Sequence, residues 1–146
     1  MTHSRQHRAA ARDAGYTLLE LLVVMVVMGL LIAIATPQAM KLLGGAKHDA
    51  ARLQIESLSQ SVNFYQLDVG AYPTAEQSLR ALWLKPEGIS QWRGPYIRKE
   101  AQLIDPWGRP YLYAIPGANA PFEIRTLGAD GREGGEGDDA DISSAG

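Results

Sequence analysis

Gly15-Tyr16-Thr17-Leu18-Leu19-Glu20, followed by the apolar run Leu21 to Ala35, is the stretch from which the rest of the chain is read. Between Tyr16 and Ala35 the only charged side chain is Glu20. About 20 such residues at about 1.5 Å rise each match the roughly 30 Å hydrocarbon core of a bilayer, so residues 16–37 are expected to cross a membrane as a helix. A charge inside such a segment costs roughly 2.5–3.5 kcal/mol near its centre, and acidic residues retained there usually mark function. Glu20 either reaches up into the headgroup layer or pairs with a cation on a neighbouring copy of the same helix. The nearest candidate cation is the amine of Tyr16, which is free only if the chain is cut after Gly15.

Working outward, residues 1–15 carry Arg5, Arg8 and Arg12 against Asp13. The positive-inside rule keeps this basic leader cytoplasmic and sends residues 38–146 across the membrane. An ordinary secretory peptide is cut after its apolar core, for which Ala33-Ile34-Ala35 is the candidate site, whereas Gly15 precedes the core. The whole chain, 146 residues with Lys+Arg 14 and Asp+Glu 16, has room for one membrane helix and one small domain. Its net charge of -2 and lack of a basic patch argue against a nucleic-acid partner. With no cysteine the fold cannot be held by disulfides, a role that a bound ion or a neighbouring subunit could take.

Proline lacks an N–H and clashes with the preceding turn, so Pro37 either bends the helix or ends it, and the sequence beyond it favours continuation. Beyond it, Ala51, Ile55, Leu58, Val62 and Tyr65 alternate spacings of four and three. This predicts an amphipathic helix over 38–69, ending near Asp68–Gly70 with Gly70 as a left-handed cap. Gly44-Gly45 adds flexibility to it. Thr74 three residues before Gln77 is a capping-box signal for a short helix to about Leu84, with Leu79, Leu82 and Trp83 inward. Pro86 to Pro110 reads as turns pinned by aromatic packing, including Trp92 and Trp107. Residues 111–115 and 122–127 are the best strands, with a third expected near Ile97 or Leu103.

Residues 128–141 set six carboxylates among five glycines. Glycines let the backbone turn and aim carbonyls inward, and crowded carboxylates repel unless a cation sits between them, which suits Ca²⁺. The opposing reading is a disordered acidic tail. Arg132 and Gly134 stand where an EF-hand needs liganding side chains, and no His or Cys lies near for zinc. An enzyme is not expected: His3 and His7 lie in the leader, His48 beside the membrane, and no nucleophile set or phosphate loop is present.

The basic leader, Gly15-Tyr16, Thr17-Leu18-Leu19-Glu20 and the apolar helix together resemble the class III signal of type IV pilins and type II secretion pseudopilins. That resemblance implies cleavage between Gly15 and Tyr16 by a prepilin peptidase, N-methylation of Tyr16, and a role for Glu20 in registering subunits. Tyr16 stands where the family usually has Phe. Gly70-Ala71-Tyr72-Pro73-Thr74 with Glu76-Gln77, Gly94-Pro95-Tyr96, and Asp105-Pro106-Trp107-Gly108 with Pro110-Tyr111 resemble the major pseudopilins of type II secretion in particular.

The implied fold is α+β and pilin-like. A long N-terminal helix, membrane-spanning and then amphipathic, packs on a small antiparallel sheet with a C-terminal calcium loop over 127–142. The implied organisation is a leader 1–15, an assembly helix 16–37 and a periplasmic domain 38–146, anchored by a single pass in the bacterial inner membrane. The implied function is a structural one, a homo-oligomeric helical filament that drives folded proteins across the outer membrane. Its implied partners are minor pseudopilins, the prepilin peptidase and an inner-membrane assembly platform. In that family a comparable loop binds one calcium. The match implies the Leu127 carbonyl and the side chains of Asp130, Asp139 and Asp141 as ligands, with Asp138 and Glu136 as substitutes. Ser143-Ser144-Ala145-Gly146 lacks the tryptophan often found after that loop. The competing readings are a type IV pilin or minor pseudopilin, expected to carry a disulfide-bounded loop or a different tail, and a passive membrane-anchored calcium-binding protein.

Overall fold

Helix α1 runs from His7 to Val69 with Pro37 inside it, in a computed structural model that describes residues 7–145. Pro37 therefore does not end the helix. Residues 1–6 of the expected leader lie outside the described residues, and side chains are described from Thr17 onward except at residues 38 and 40–42. The chain divides into two units, residues 1–42 and residues 43–146.

In the first unit, Thr17–Pro37 is 21 residues long and apolar enough to cross a membrane. Its large side chains stand out all round the helix, from Leu18 and Met25 to Ile32 and Ile34. A helix that is apolar on every face requires an apolar medium or apolar neighbours. Beside the proline, the Thr36 hydroxyl donates to the Ile32 carbonyl at 2.7 Å, a local back-bond of the kind that tends to bend a helix.

In the second unit, α1 buries the face its spacing predicts: Ala51, Ile55, Leu58, Val62 and Tyr65 are all buried. They form one core with Leu79, Ala81, Leu82, Ile97, Tyr111, Phe122, Ile124 and Ile142. Burial of each large apolar side chain contributes about 1.5–3 kcal/mol. The helix stops where expected, Gly70 taking φ 85° while its N–H donates to the Gln66 carbonyl at 2.8 Å.

The capping box forms in both directions, Thr74 N–H to Gln77 Oε1 at 3.0 Å and Gln77 N–H to Thr74 Oγ1 at 3.3 Å. The helix expected to follow it does not reach Leu84 unbroken. One turn closes with Ser78 N–H on the Thr74 carbonyl, then Ser78 adopts φ 51° and ψ -165°, and the chain restarts as a short 3₁₀ helix over Leu79–Leu82. A positive φ breaks the helical hydrogen-bond ladder, and the restart turns Leu79, Ala81 and Leu82 into the core. Packing has overridden the local signal here.

Three strands form an antiparallel sheet in the order β1 (Leu112–Ala114), β2 (Glu123–Thr126), β3 (Ile142–Ser143). The first two fall within the expected segments. The third is not at Ile97, a core residue in a loop, nor at Leu103, the end of a 3₁₀ helix over Glu100–Leu103. It is Ile142–Ser143, paired as Thr126↔Ile142 and Arg125↔Ser143. Two residues are too few to show alternation, so no periodicity announces this strand.

The aromatic loop is held as the composition suggests. Trp92 Nε1–H donates to the Ala81 carbonyl at 2.8 Å, and the Tyr96 ring lies edge-on to Trp92 and Tyr65. Tyr96 donates its hydroxyl to Asp68 Oδ2 at 2.9 Å. Burial, which disfavours the phenolate, pushes the Tyr113 hydroxyl up to about 12 and raises Tyr111 above the ordinary tyrosine range, with the charge of Asp105 adding to the latter. A raised folded value means stability that is complete below the unfolded value of 10.0 and is lost as pH climbs through the folded one. The urea midpoint is therefore expected to hold steady up to about pH 10 and to fall between there and about pH 12. A midpoint unchanged across that window would contradict the burial of these phenols.

Candidate functional site

Two constellations carry the expected chemistry, one in each unit. In the first unit Gly15, Tyr16 and Glu20 all lie on α1. Glu20 is exposed between Leu19 and Leu21, which are 63 % and 61 % exposed. Among the described residues no hydrogen bond or ion pair reaches its carboxylate. The side chain of Tyr16 lies outside the described set. A carboxylate held in lipid with no partner is costly unless it is protonated, reaches the headgroups or meets a cation on a neighbouring helix.

In the second unit the acidic stretch is the connection between β2 and β3. Because Thr126 pairs with Ile142, Leu127 and Asp141 stand at the two sides of the loop's mouth. Inside it, Gly131 N–H donates to the Leu127 carbonyl at 3.2 Å and Ala129 N–H to the Asp138 carbonyl at 2.9 Å. Residues Gly137–Asp139 form a 3₁₀ turn. The stretch is thus folded back on itself, against the disordered-tail reading.

Its glycines serve close approach as well as turning. Gly128 is buried at φ 61°, and a Cβ there would stand 2.5 Å from the Asp139 carbonyl oxygen. A Cβ on Gly135, at φ 90°, would stand 2.6 Å from the same oxygen. Only glycine fits against that carbonyl from either side.

The candidate ligands are placed unequally. Asp141 is half-buried: Oδ2 accepts the Gly134 N–H at 3.1 Å, while Oδ1 is buried with no hydrogen-bond partner. Asp130 is exposed and its Oδ1 accepts the Arg132 N–H at 3.0 Å. Asp139 and Glu136 are exposed. Asp138 turns toward α1, where its carboxylate occupies the space a Cβ on Gly44 would need. Among the described residues no three His, Cys, Asp or Glu side chains are gathered as a metal cluster. Any cation here would rest on backbone carbonyls as well as carboxylates. The donors are all oxygen and one buried carboxylate oxygen is unpaired, so the residues fit a hard divalent cation such as Ca²⁺.

Two contacts to this loop were not legible beforehand. One is Gly44, read only as a flexible point, which gives Asp138 its room. The other is Arg109, whose guanidinium donates to the Ala129 carbonyl at 3.3 Å and also to the Gly128 carbonyl. Its side chain is steadied by Asp105, the buried carboxylate of the Asp105-Pro106-Trp107-Gly108 turn. Asp at the head of such a turn is a recognisable signal, because its side chain bonds the backbone just ahead; the reach of Arg109 is not.

Comparison with known proteins bears on both constellations. Residues 38–145 match the family model described as type II secretion system (T2SS), protein G, and residues 10–36 match the prokaryotic N-terminal methylation motif. The chain is 42 % identical over 137 residues to the type II secretion system core protein G of Pseudomonas aeruginosa, covering 91 % of this chain and 95 % of that protein. It is 39 % identical over 136 residues to the protein of the same name from Vibrio cholerae, covering 91 % and 92 %. Among solved structures it resembles the major pseudopilin from the type 2 secretion system of enterohaemorrhagic Escherichia coli. That match has a TM-score of 0.59 and 32 % identity, and covers 73 % of this chain and 88 % of the other.

Proposed function

The chain belongs to the type II secretion system protein G family and carries the N-terminal methylation motif, and from that premise we propose that it is the major structural subunit of a pseudopilus. A subunit that repeats one head-to-tail contact builds an open helical polymer. In this reading residues 1–15 are removed by a prepilin peptidase, Tyr16 becomes the methylated first residue, and its ammonium meets Glu20 of the next subunit. The protein is anchored in the inner membrane through residues 16–37 and holds residues 38–146 in the periplasm. It works there with minor pseudopilins and an assembly platform to export folded proteins, as a structural part and not as a catalyst.

The observation that carries this reading is Glu20, exposed and without a partner among the described residues near the start of an apolar helical surface. In water that carboxylate would need nothing, and in lipid it would be a liability. In a bundle of identical helices it is a registration point. The family match over 38–145 favours this over a type IV pilin.

For the loop over 127–142 we propose one calcium ion, held by the Leu127 carbonyl, Asp130, Asp139 and Asp141. Bound calcium would neutralise the crowded carboxylates and tie the residue after β2 to the residue before β3. The chain's own part is the folded loop, its glycine contacts around the Asp139 carbonyl and the unpaired Asp141 oxygen.

Intact mass of protein extracted from membranes tests processing directly. The expected mass is that of the chain lacking residues 1–15 and carrying one added methyl group. A chain that begins at Met1, or one cut near Ala35, would refute the filament reading, because neither leaves an amine at Tyr16.

A further inference from the structure

Arg109 is separated by about 20 residues of sequence from the acidic loop it touches. Its position is built from below. Asp105 is buried, and its Oδ1 accepts the N–H groups of Trp107 at 3.0 Å and Arg109 at 2.8 Å. Asp105 N–H donates to the Arg109 carbonyl at 2.7 Å, closing the turn. Asp105 Oδ2 takes the Thr126 hydroxyl from β2 and faces Arg109 Nε at 3.7 Å. The carboxylate thus ties together the turn, the last residue of β2 and the stem of the arginine.

From that seat the guanidinium donates to two successive carbonyls, Gly128 and Ala129. Gly131 leaves it room, since a Cβ there would stand 2.5 Å from one of its terminal nitrogens. The two carbonyls are drawn to one side. Leu127 and Asp130 on either side of them are the residues proposed to face the cation. An arginine fork holds two acceptors with less loss of freedom per hydrogen bond than a lysine, whose charge sits on a flexible stem.

We propose that Arg109 is a positioning residue of the acidic loop: seated on Asp105, it holds the Gly128 and Ala129 carbonyls so that the loop is already shaped for a divalent cation. This rests on the calcium reading of residues 127–142. A loop ordered in advance need not be ordered at the moment of binding, and that saving appears as affinity. The Asp105 carboxylate, whose side chain is 1 % exposed, balances the guanidinium charge that would otherwise oppose a cation nearby.

The test compares full-length wild type with Arg109→Lys and Arg109→Gln in detergent micelles, titrating calcium chloride by calorimetry and melting each protein in calcium and in chelator. The expected result is calcium affinity weakened about tenfold in both variants, equivalent to about 1.4 kcal/mol, and a smaller gap between the two melting temperatures. A merely structural arginine would lower both melting temperatures equally and leave affinity unchanged, and that outcome overturns the proposal. If Arg109→Gln does not fold, Arg109→Lys, which keeps the charge and the stem, decides the matter alone. Wild type that melts identically in calcium and chelator overturns the calcium reading and this inference with it. Wild type that responds to calcium beside a variant of equal affinity overturns this inference only.

Discussion

Replacing Glu20 with alanine is expected to leave the protein inserted in the membrane and unable to form filaments. Insertion depends on the apolar segment Thr17–Pro37, which the substitution makes more apolar. Assembly depends on neutralising charge inside a bundle of helices. Removing one partner of a buried ion pair typically costs about 3–5 kcal/mol because the other charge is left uncompensated. In the proposed filament that charge is the amine of a neighbouring subunit's Tyr16. At each subunit contact, about 3 kcal/mol corresponds to more than a hundredfold in association, and the loss recurs along the polymer. Glu20→Gln should behave the same way, since an amide retains the shape and lacks the charge. Membrane fractionation with electron microscopy of sheared filaments reads both outcomes. Normal filament yield from either variant would remove charge pairing from the mechanism.

The second large effect is expected at Asp141. In Asp141→Ala the melting temperature in calcium should fall to the value wild type shows in chelator. A ligand that binds only the folded state stabilises it by about RT ln(1 + [L]/Kd), about 2.7 kcal/mol at a hundredfold excess over Kd. For a domain of this size each kcal/mol moves the melting temperature by roughly 4–8 °C, so the shift should approach about 10 °C or more. Asp141 also accepts the Gly134 N–H. Asp141→Asn separates the two roles, because it keeps an acceptor for that N–H and loses the negative charge. It too should melt in calcium as wild type does in chelator. Coincident wild-type curves with and without calcium would exclude the ion site.

The acidic loop and the membrane helix differ in how far they could be read in advance. The helical face through Ala51, Ile55, Leu58, Val62 and Tyr65, the stop at Gly70 and the reciprocal Thr74–Gln77 cap rest on residues within one or two turns of each other, and all are present. The short helix after Thr74 failed at Ser78 because its local signal competed with the burial of Leu79 and Leu82. The third strand leaves no local signal, because Ile142–Ser143 is a strand only by virtue of its partner β2. At the loop, composition indicated hard-cation chemistry but not direction. Asp138 turns to Gly44 of α1, a residue nearly a hundred positions earlier, and among the described acids Asp141 alone holds a buried unpaired oxygen.

By itself, then, the sequence determined what depends on near neighbours and on the solvent each segment requires: a membrane helix with one misplaced charge, an amphipathic continuation, two strands and an oxygen-rich loop. Tertiary structure decided what depends on residues far apart in the chain. It supplied β3 as the other wall of the loop, and set Arg109 on Asp105 beneath the Gly128 and Ala129 carbonyls. The physical reason is that helix periodicity and capping are satisfied within a few residues, whereas a loop's carbonyls are aimed by whichever distant donor the packed core brings within hydrogen-bond reach.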